Sequence, residues 1–164
     1  MNPNICRRFP PEAKDFVRSH SRLLIKSLLR FRDIPVHAKA IRELTPEQLA
    51  GYLFENHTAV VSQGTEENPI LNYGNRNALR LWKMDWKEFT STPSQRTAEP
   101  ELQEERARIL EVVQNKGIIY PYSGIRISGD GRRFLIKDTK IWRVEEDDGT
   151  PRGMAAMITD WEML

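Results

Sequence analysis

Arg106 stands where a permanent charge has to be explained. It falls between Leu102 and Ile109 on the apolar stripe of a helical segment. A buried guanidinium there needs a carboxylate, carbonyl oxygens or an anionic ligand to offset its desolvation. Otherwise its stem lies along the apolar surface with its head in water, or it pairs with a nearby acid such as Glu99 or Asp138. Tyr73, Trp82, Trp86, Phe89 and Trp142 form a second group, able either to fill a core or to wall a cavity for a planar or apolar ligand. These five aromatics and Arg106 are the candidate ligand-binding residues.

Other reactive combinations are not supported by spacing. His20, His37 and His57 stand 17 and 20 residues apart with no i, i+4 pair, so no metal site is expected. Gly129-Asp130-Gly131 lacks the Lys-Ser/Thr of a phosphate loop and reads as a hairpin turn, and the acidic run Glu145 to Asp148 reads as a solvated hairpin tip. Serine, histidine and aspartate occur without a spacing that joins them. No catalytic residue is assigned, and a non-enzymatic protein is expected. Arg126, between Ile125 and Ile127, is sent by strand alternation to the face opposite theirs, as a surface charge or a partner contact.

The elements that must position these residues follow from periodicity and caps. Thr45-Pro46-Glu47-Gln48 makes a capping box with proline in the first turn, opening a helix whose apolar face is Leu49, Tyr52, Leu53 and the stretch 59–61. Ile70, Leu71 and Tyr73 read as a strand. Asn75 caps a short helix carrying Ala78, Leu79 and Trp82, and Asp85 with Glu88 caps another turn that brings up Trp86 and Phe89. A stronger helix runs from Pro100 to Lys116, ended by Gly117, with Leu102, Ile109 and Val113 on one side. Strands at 122–128, 132–145 and 152–161 follow, joined by turns at Gly131 and Gly149, and the 70–73 strand is left to pair with the last of them. Phe134 and Ile136, then Trp142 and Val144, alternate cleanly, but Asp138 and Lys140 interrupt them, which predicts a bulge.

Charge is unevenly spread. Residues 1–45 hold ten Lys and Arg against four acids, a balance of +6 in a chain whose total is +2, so the remainder carries −4. The reading is a basic helical arm over 1–44 and a body over 45–164, with a break near Asp33-Ile34-Pro35. Between Glu12 and Arg32, at 100° per residue, Phe16, Val17, Leu23, Leu24, Leu28 and Phe31 share one arc. Arg18, Arg22, Lys26 and Arg30 occupy the other, with Ile25 and Leu29 intruding. Such a helix packs on its own domain, makes a homodimer contact, lies on an anionic membrane surface or neutralises nucleic-acid phosphates. Nucleic acid and membrane have less support than the first two.

Strand, short helices, longer helix and three-stranded meander is the order of the PAS fold. In detail, Asn68-Pro69-Ile70-Leu71-Asn72-Tyr73-Gly74-Asn75, Pro93-Ser94, Ala98-Glu99-Pro100, Glu105-Arg106, Tyr122 to Ile127, Gly131 to Phe134, Trp142 and Ile158-Thr159-Asp160-Trp161 resemble the MEKHLA domain. These PAS-like domains occur alone in bacteria and at the C-terminus of plant class III homeodomain leucine-zipper transcription factors. The resemblance runs from about Leu49 to the end of the sequence. It implies an α+β fold, a five-stranded antiparallel sheet with helices on one face, preceded by N-terminal helices. It also implies a regulatory module that binds a small ligand or a protein partner, without catalysis. Neither a homeodomain nor a zipper is present, so the plant DNA-binding role does not transfer. Flavin-type photosensing relatives use a cysteine beside the flavin, and the body has none, which excludes thiol-adduct photochemistry.

The 164 residues, 39% apolar, suit one domain that buries about 70% of its surface. A lone cysteine, Cys6, allows neither an internal disulfide nor a cysteine-based zinc cluster. No run reaches the length of a transmembrane segment, and the first eleven residues lack the apolar middle of a secretory signal, so a cytoplasmic location is expected. The expected function is a sensory module acting through a small-molecule ligand, a protein partner or a homodimer. Its alternatives are a ligand-free interaction module and, with least support, a nucleic-acid-associated regulator.

Overall fold

Pro10 and Pro11 lead into a single 3-10 turn, Pro11–Ala13, and then helix α1, Lys14–Leu28. The computed structural model describes residues 9–31, 38–99 and 103–164, so Cys6, His37, Pro100, Leu102 and the break at Asp33-Ile34-Pro35 lie outside the described residues. Helix α1 buries Val17, His20, Ser21, Leu24, Ile25 and Leu28. The buried side is turned toward Ile25 relative to the expected arc, leaving Phe16 exposed at 40%. Arg18, Arg22, Lys26 and Arg30 stay on the solvent side. Helix α2, Ala38–Arg42, is followed by α3, Pro46–Phe54, which opens on the expected capping box: Thr45 accepts from Gln48 N–H and Gln48 takes the Thr45 N–H.

Helix α3 stops at Phe54, and the apolar stretch assigned to it is instead strand β1, Ala59–Gln63. Asn56 Oδ1 accepts both the N–H and the hydroxyl of Thr58, turning the chain between the two. A short β-branched run fits either helix or strand by pattern, and here its neighbours in the sheet decide. Strand β2, Leu71–Gly74, helix α4, Arg76–Trp82, and helix α5, Trp86–Phe89, come next, with Asn75 and Asp85 capping as their types predict. A 3-10 turn, Ser94–Thr97, precedes helix α6, Gln103–Lys116. Strands β3, Ile118–Ile127, β4, Arg133–Glu145, and β5, Pro151–Met163, complete the chain. β3 starts four residues before the expected Tyr122, directly after Gly117.

All five strands form one antiparallel sheet in the order β2-β1-β5-β4-β3. The 70–73 strand therefore does not pair with the last; β1 lies between them and makes both pairings. β2 and β3 are the two edges. Gly131 and Gly149 take φ of +84° and +87° in the two hairpin turns, as expected. At Asp138, φ +47°, β4 carries one extra residue against β3, between the pairs Tyr122–Thr139 and Gly124–Ile136. The bulge resets the alternation. Ile136 and Ile141, five positions apart, line the same cavity, whereas Trp142 reaches helix α1 on the other face.

Helix α1, with α3, covers one face of the sheet, and α4 and α6 the other. Ser27 ties the end of α1 to β4 by donating to Glu145 O and accepting from Glu145 N–H, and Lys26 and Arg30 pair with Asp147 and Glu145. Trp82, Phe89 and Phe134 pack edge to face beneath α4. Among the described residues no helix is long and apolar enough to cross a membrane.

Candidate functional site

Helix α6 lies over the sheet and encloses a cavity of about 70 Å³ with it. Leu71, Trp82, Ile109, Ile136, Ile141 and Ile158 give it apolar walls; Gln63, Ser94, Thr97, Arg106 and Arg126 bring polar groups. Arg106 projects from α6 into this space. Its guanidinium donates to Gln63 Oε1 at 3.0 Å and to Ser94 Oγ, while Ser94 itself donates to Gln63 Oε1 at 2.5 Å. None of these partners carries charge. Glu99 pairs with Arg133, and Asp138 lines a separate cavity beside Lys140 on the α1 side, so neither expected acid neutralises Arg106.

Arg126 arrives from β3. Strand alternation had sent it to the surface, but it points inward, because its cross-strand partner is the fully buried Phe134 rather than a surface residue. One arm of its fork donates to its neighbour's carbonyl, Ile125 O, at 2.8 Å, and the guanidinium lies 5.6 Å from the centre of the Tyr122 ring. Burial, and then the charge of Arg126, push the Arg106 pKa down to about 10, still fully cationic at neutral pH. Trp82 adds a buried indole N–H with no hydrogen-bond partner among the described residues. The wall thus holds two guanidinium groups and, among the described residues, no carboxylate.

Of the six candidate residues, Trp82 and Arg106 meet at this cavity. Phe89 packs behind Trp82 as core, its rim against Gly74. Tyr73 and Trp86 stack edge to face with each other, away from it, and Tyr73 faces His20 of α1. Burial pushes the Tyr73 phenol well above its ordinary range. Trp142 sits under α1 and donates its indole N–H to Leu24 O at 3.2 Å. A phase reset at Asp138 moved it from the face that simple alternation predicts. Gln63 and Ser94 are not site candidates from sequence, and Arg126 reads there as a surface charge or a partner contact; the signal for its inward direction is the Phe134 opposite it.

On the other side of β1, His20 Nε2 lies 2.8 Å from Ser62 Oγ. Ser62 gives its proton to Asn72 Oδ1, so the histidine is the donor, and burial holds its pKa down to about 4. The register of β1 against β2 slips between Ser62 and Gln63. By strand alternation, successive residues Ser62 and Gln63 serve helix α1 and the cavity.

A family model for the MEKHLA domain matches residues 18–163, extending the similarity seen from Leu49 back into α1. Among solved structures, the PAS domain of a protein from Colwellia psychrerythraea is similar with a TM-score of 0.60 and 15% identity, over 70% of this chain and 94% of that one. The light-state dimer of the fungal blue-light photoreceptor Vivid gives 0.57 and 11%, over 84% and 91%. A light-oxygen-voltage domain studied with a flavin analogue gives 0.55 and 13%, over 71% and 84%. No curated protein matches. The cavity does not fit a flavin: it is far smaller than the roughly 300–1,000 Å³ of sites for ligands of that size. Its sheet order and the family match agree, and the chain belongs to the MEKHLA domain family, built on a PAS-like fold.

Proposed function

We propose that this protein is a non-enzymatic, cytoplasmic sensory module. In it a small molecule held between α6 and the sheet changes how α1 is held on the opposite face. Residues 1–44 act as the basic arm and 45–164 as the sensing body, with Trp82 and Arg106 contacting the ligand. One observation carries the reading: Ser62 and Gln63, adjacent in β1, are bonded to His20 of the arm and Arg106 of the cavity respectively. A ligand that recruits Arg106 releases Gln63, and the strand between them is the shortest covalent route to the arm. Only a ligand with unequal affinity for the two arrangements shifts them.

Native mass spectrometry of freshly purified protein tests this, with hydrogen exchange read in α1. The reading expects a stoichiometric extra mass, lost on denaturation, whose removal alters exchange in residues 14–28. A clean mass together with unchanged α1 exchange on adding ligand candidates contradicts it. A second reading, a constitutive protein or homodimer contact through α1, draws on the exposed Phe16 beside Arg18 and Arg22. The nucleic-acid reading is weakened by the pairing of Lys26 and Arg30 with local acids. Phosphate-driven binding falls steeply between about 50 and 200 mM salt, and apolar dimerisation does not.

A further inference from the structure

Two like charges in one small, largely apolar cavity are costly unless something of opposite sign is meant to enter. Arg106 and Arg126 converge there, their fixed partners are neutral, and among the described residues no aspartate or glutamate lines the wall. A protein using arginine only to knit α6 to the sheet would offset it with an acid, as Arg133 is offset by Glu99 on the surface nearby. Planar guanidinium forks match a planar carboxylate through two parallel hydrogen bonds. A dianion such as phosphate asks for more donors than these and for a wetter site. About 70 Å³ with isoleucine and leucine walls leaves room for the carboxylate and a short apolar body.

We infer that the ligand of this cavity is a small apolar monocarboxylate, its carboxylate bound between Arg106 and Arg126 and its body against Trp82 and the isoleucines. The inference rests on the sensory reading above and specifies its ligand. When the acid binds, Arg106 turns from Gln63 and Ser94 toward the carboxylate, and the mutual repulsion of the two guanidiniums is relieved. That gain in free energy draws α6 toward the sheet.

Calorimetric titration of the full chain with propionate and butyrate, against propionamide and butyramide and against inorganic phosphate, tests it. Acids are expected to bind at least about tenfold more tightly than the matched amides, as charge-assisted bonds require. In Arg106→Gln and in Arg126→Gln, acid affinity should drop to that of the amides, with amide affinity unchanged. Arg106→Lys, which keeps the charge but not the fork, should recover part of the loss. Thermal unfolding of each variant shows whether it is folded. Equal affinity for acids and amides overturns the inference while leaving a ligand-binding cavity. Tighter binding of phosphate than of either acid overturns the carboxylate assignment. Binding of neither class up to millimolar concentration overturns it as well, and the native mass spectrum then decides separately whether the sensory reading stands.

Discussion

Trp142 Nε1 donates to the carbonyl of Leu24 at 3.2 Å, tying the second half of β4 to the second half of α1 across a fully buried contact. The carbonyl lies in a regular stretch of helix, so the indole is an additional donor. Trp142→Phe keeps most of the apolar area but removes this bond and leaves a small void. A loss of about 2 kcal/mol in urea unfolding is expected, with faster hydrogen exchange in residues 14–28. A variant as stable as the parent, with α1 exchange unchanged, shows that the contact holds nothing.

Asn75 is wholly buried and satisfies four backbone groups at once: its Oδ1 accepts from Val60 and Ala78 N–H, and its Nδ2 donates to Leu53 and Thr58 carbonyls. Asn75→Ala strands all four, at about 3 kcal/mol or more. Asn75→Asp keeps the acceptor but sets a buried carboxylate oxygen against the Leu53 and Thr58 carbonyls, so its unfolding midpoint at neutral pH should lie no higher than that of the alanine variant.

Acid should loosen the arm first. His20 is neutral in the folded chain, with a pKa held by burial at about 4 against an ordinary 6.5. Between those values the unfolded chain binds a proton that the folded chain does not, so stability falls as pH drops. The loss between pH 7 and 5 is about 2 kcal/mol. His20→Gln, which retains a donor for Ser62, should flatten that slope in thermal unfolding across the same range. An unchanged slope excludes His20 as its source.

Gly153 takes φ +116°, and a Cβ there would collide with the backbone oxygen of Gln63. Gly149, φ +87°, has open space around it. Gly153→Ala is therefore expected to cost at least about 2 kcal/mol through strain plus collision, and Gly149→Ala about 1 kcal/mol through strain alone. Paired thermal melts separate the two costs, and equal shifts count against the close approach.

Arg106→Met should stabilise the ligand-free protein by about 1 kcal/mol, because it removes a desolvated charge without an opposite partner and leaves the Ser94–Gln63 bond in place. A lower melting temperature than the parent in ligand-free buffer contradicts this.

Helix starts were readable from sequence because their cause is local. Thr45 with Gln48, Asn75 and Asp85 each cap within three residues, and each does so in the structure. Residues 59–63 carried no such local cause: their strand character comes from β2 and β5 on either side, segments distant in the chain. The same limit separates Arg106 from Arg126. A cation on an apolar helical stripe is anomalous within one helix, whereas the inward direction of Arg126 depends on which residue of β4 lies across from it. Trp142 stands on the α1 face for a related reason: the interruption at Asp138 is legible in the sequence, but the number of residues it inserts against β3 is not.

The β3 edge has a further consequence. A ten-residue strand bordering a sheet offers a row of main-chain donors and acceptors on which another chain can add itself. Pro121 removes one donor from the middle of that row, and the register irregularities on either side of Tyr122 keep the strand from being flat. Ordered pairing of copies through this border is thereby discouraged, and association between molecules is steered to surfaces whose side chains can discriminate partners.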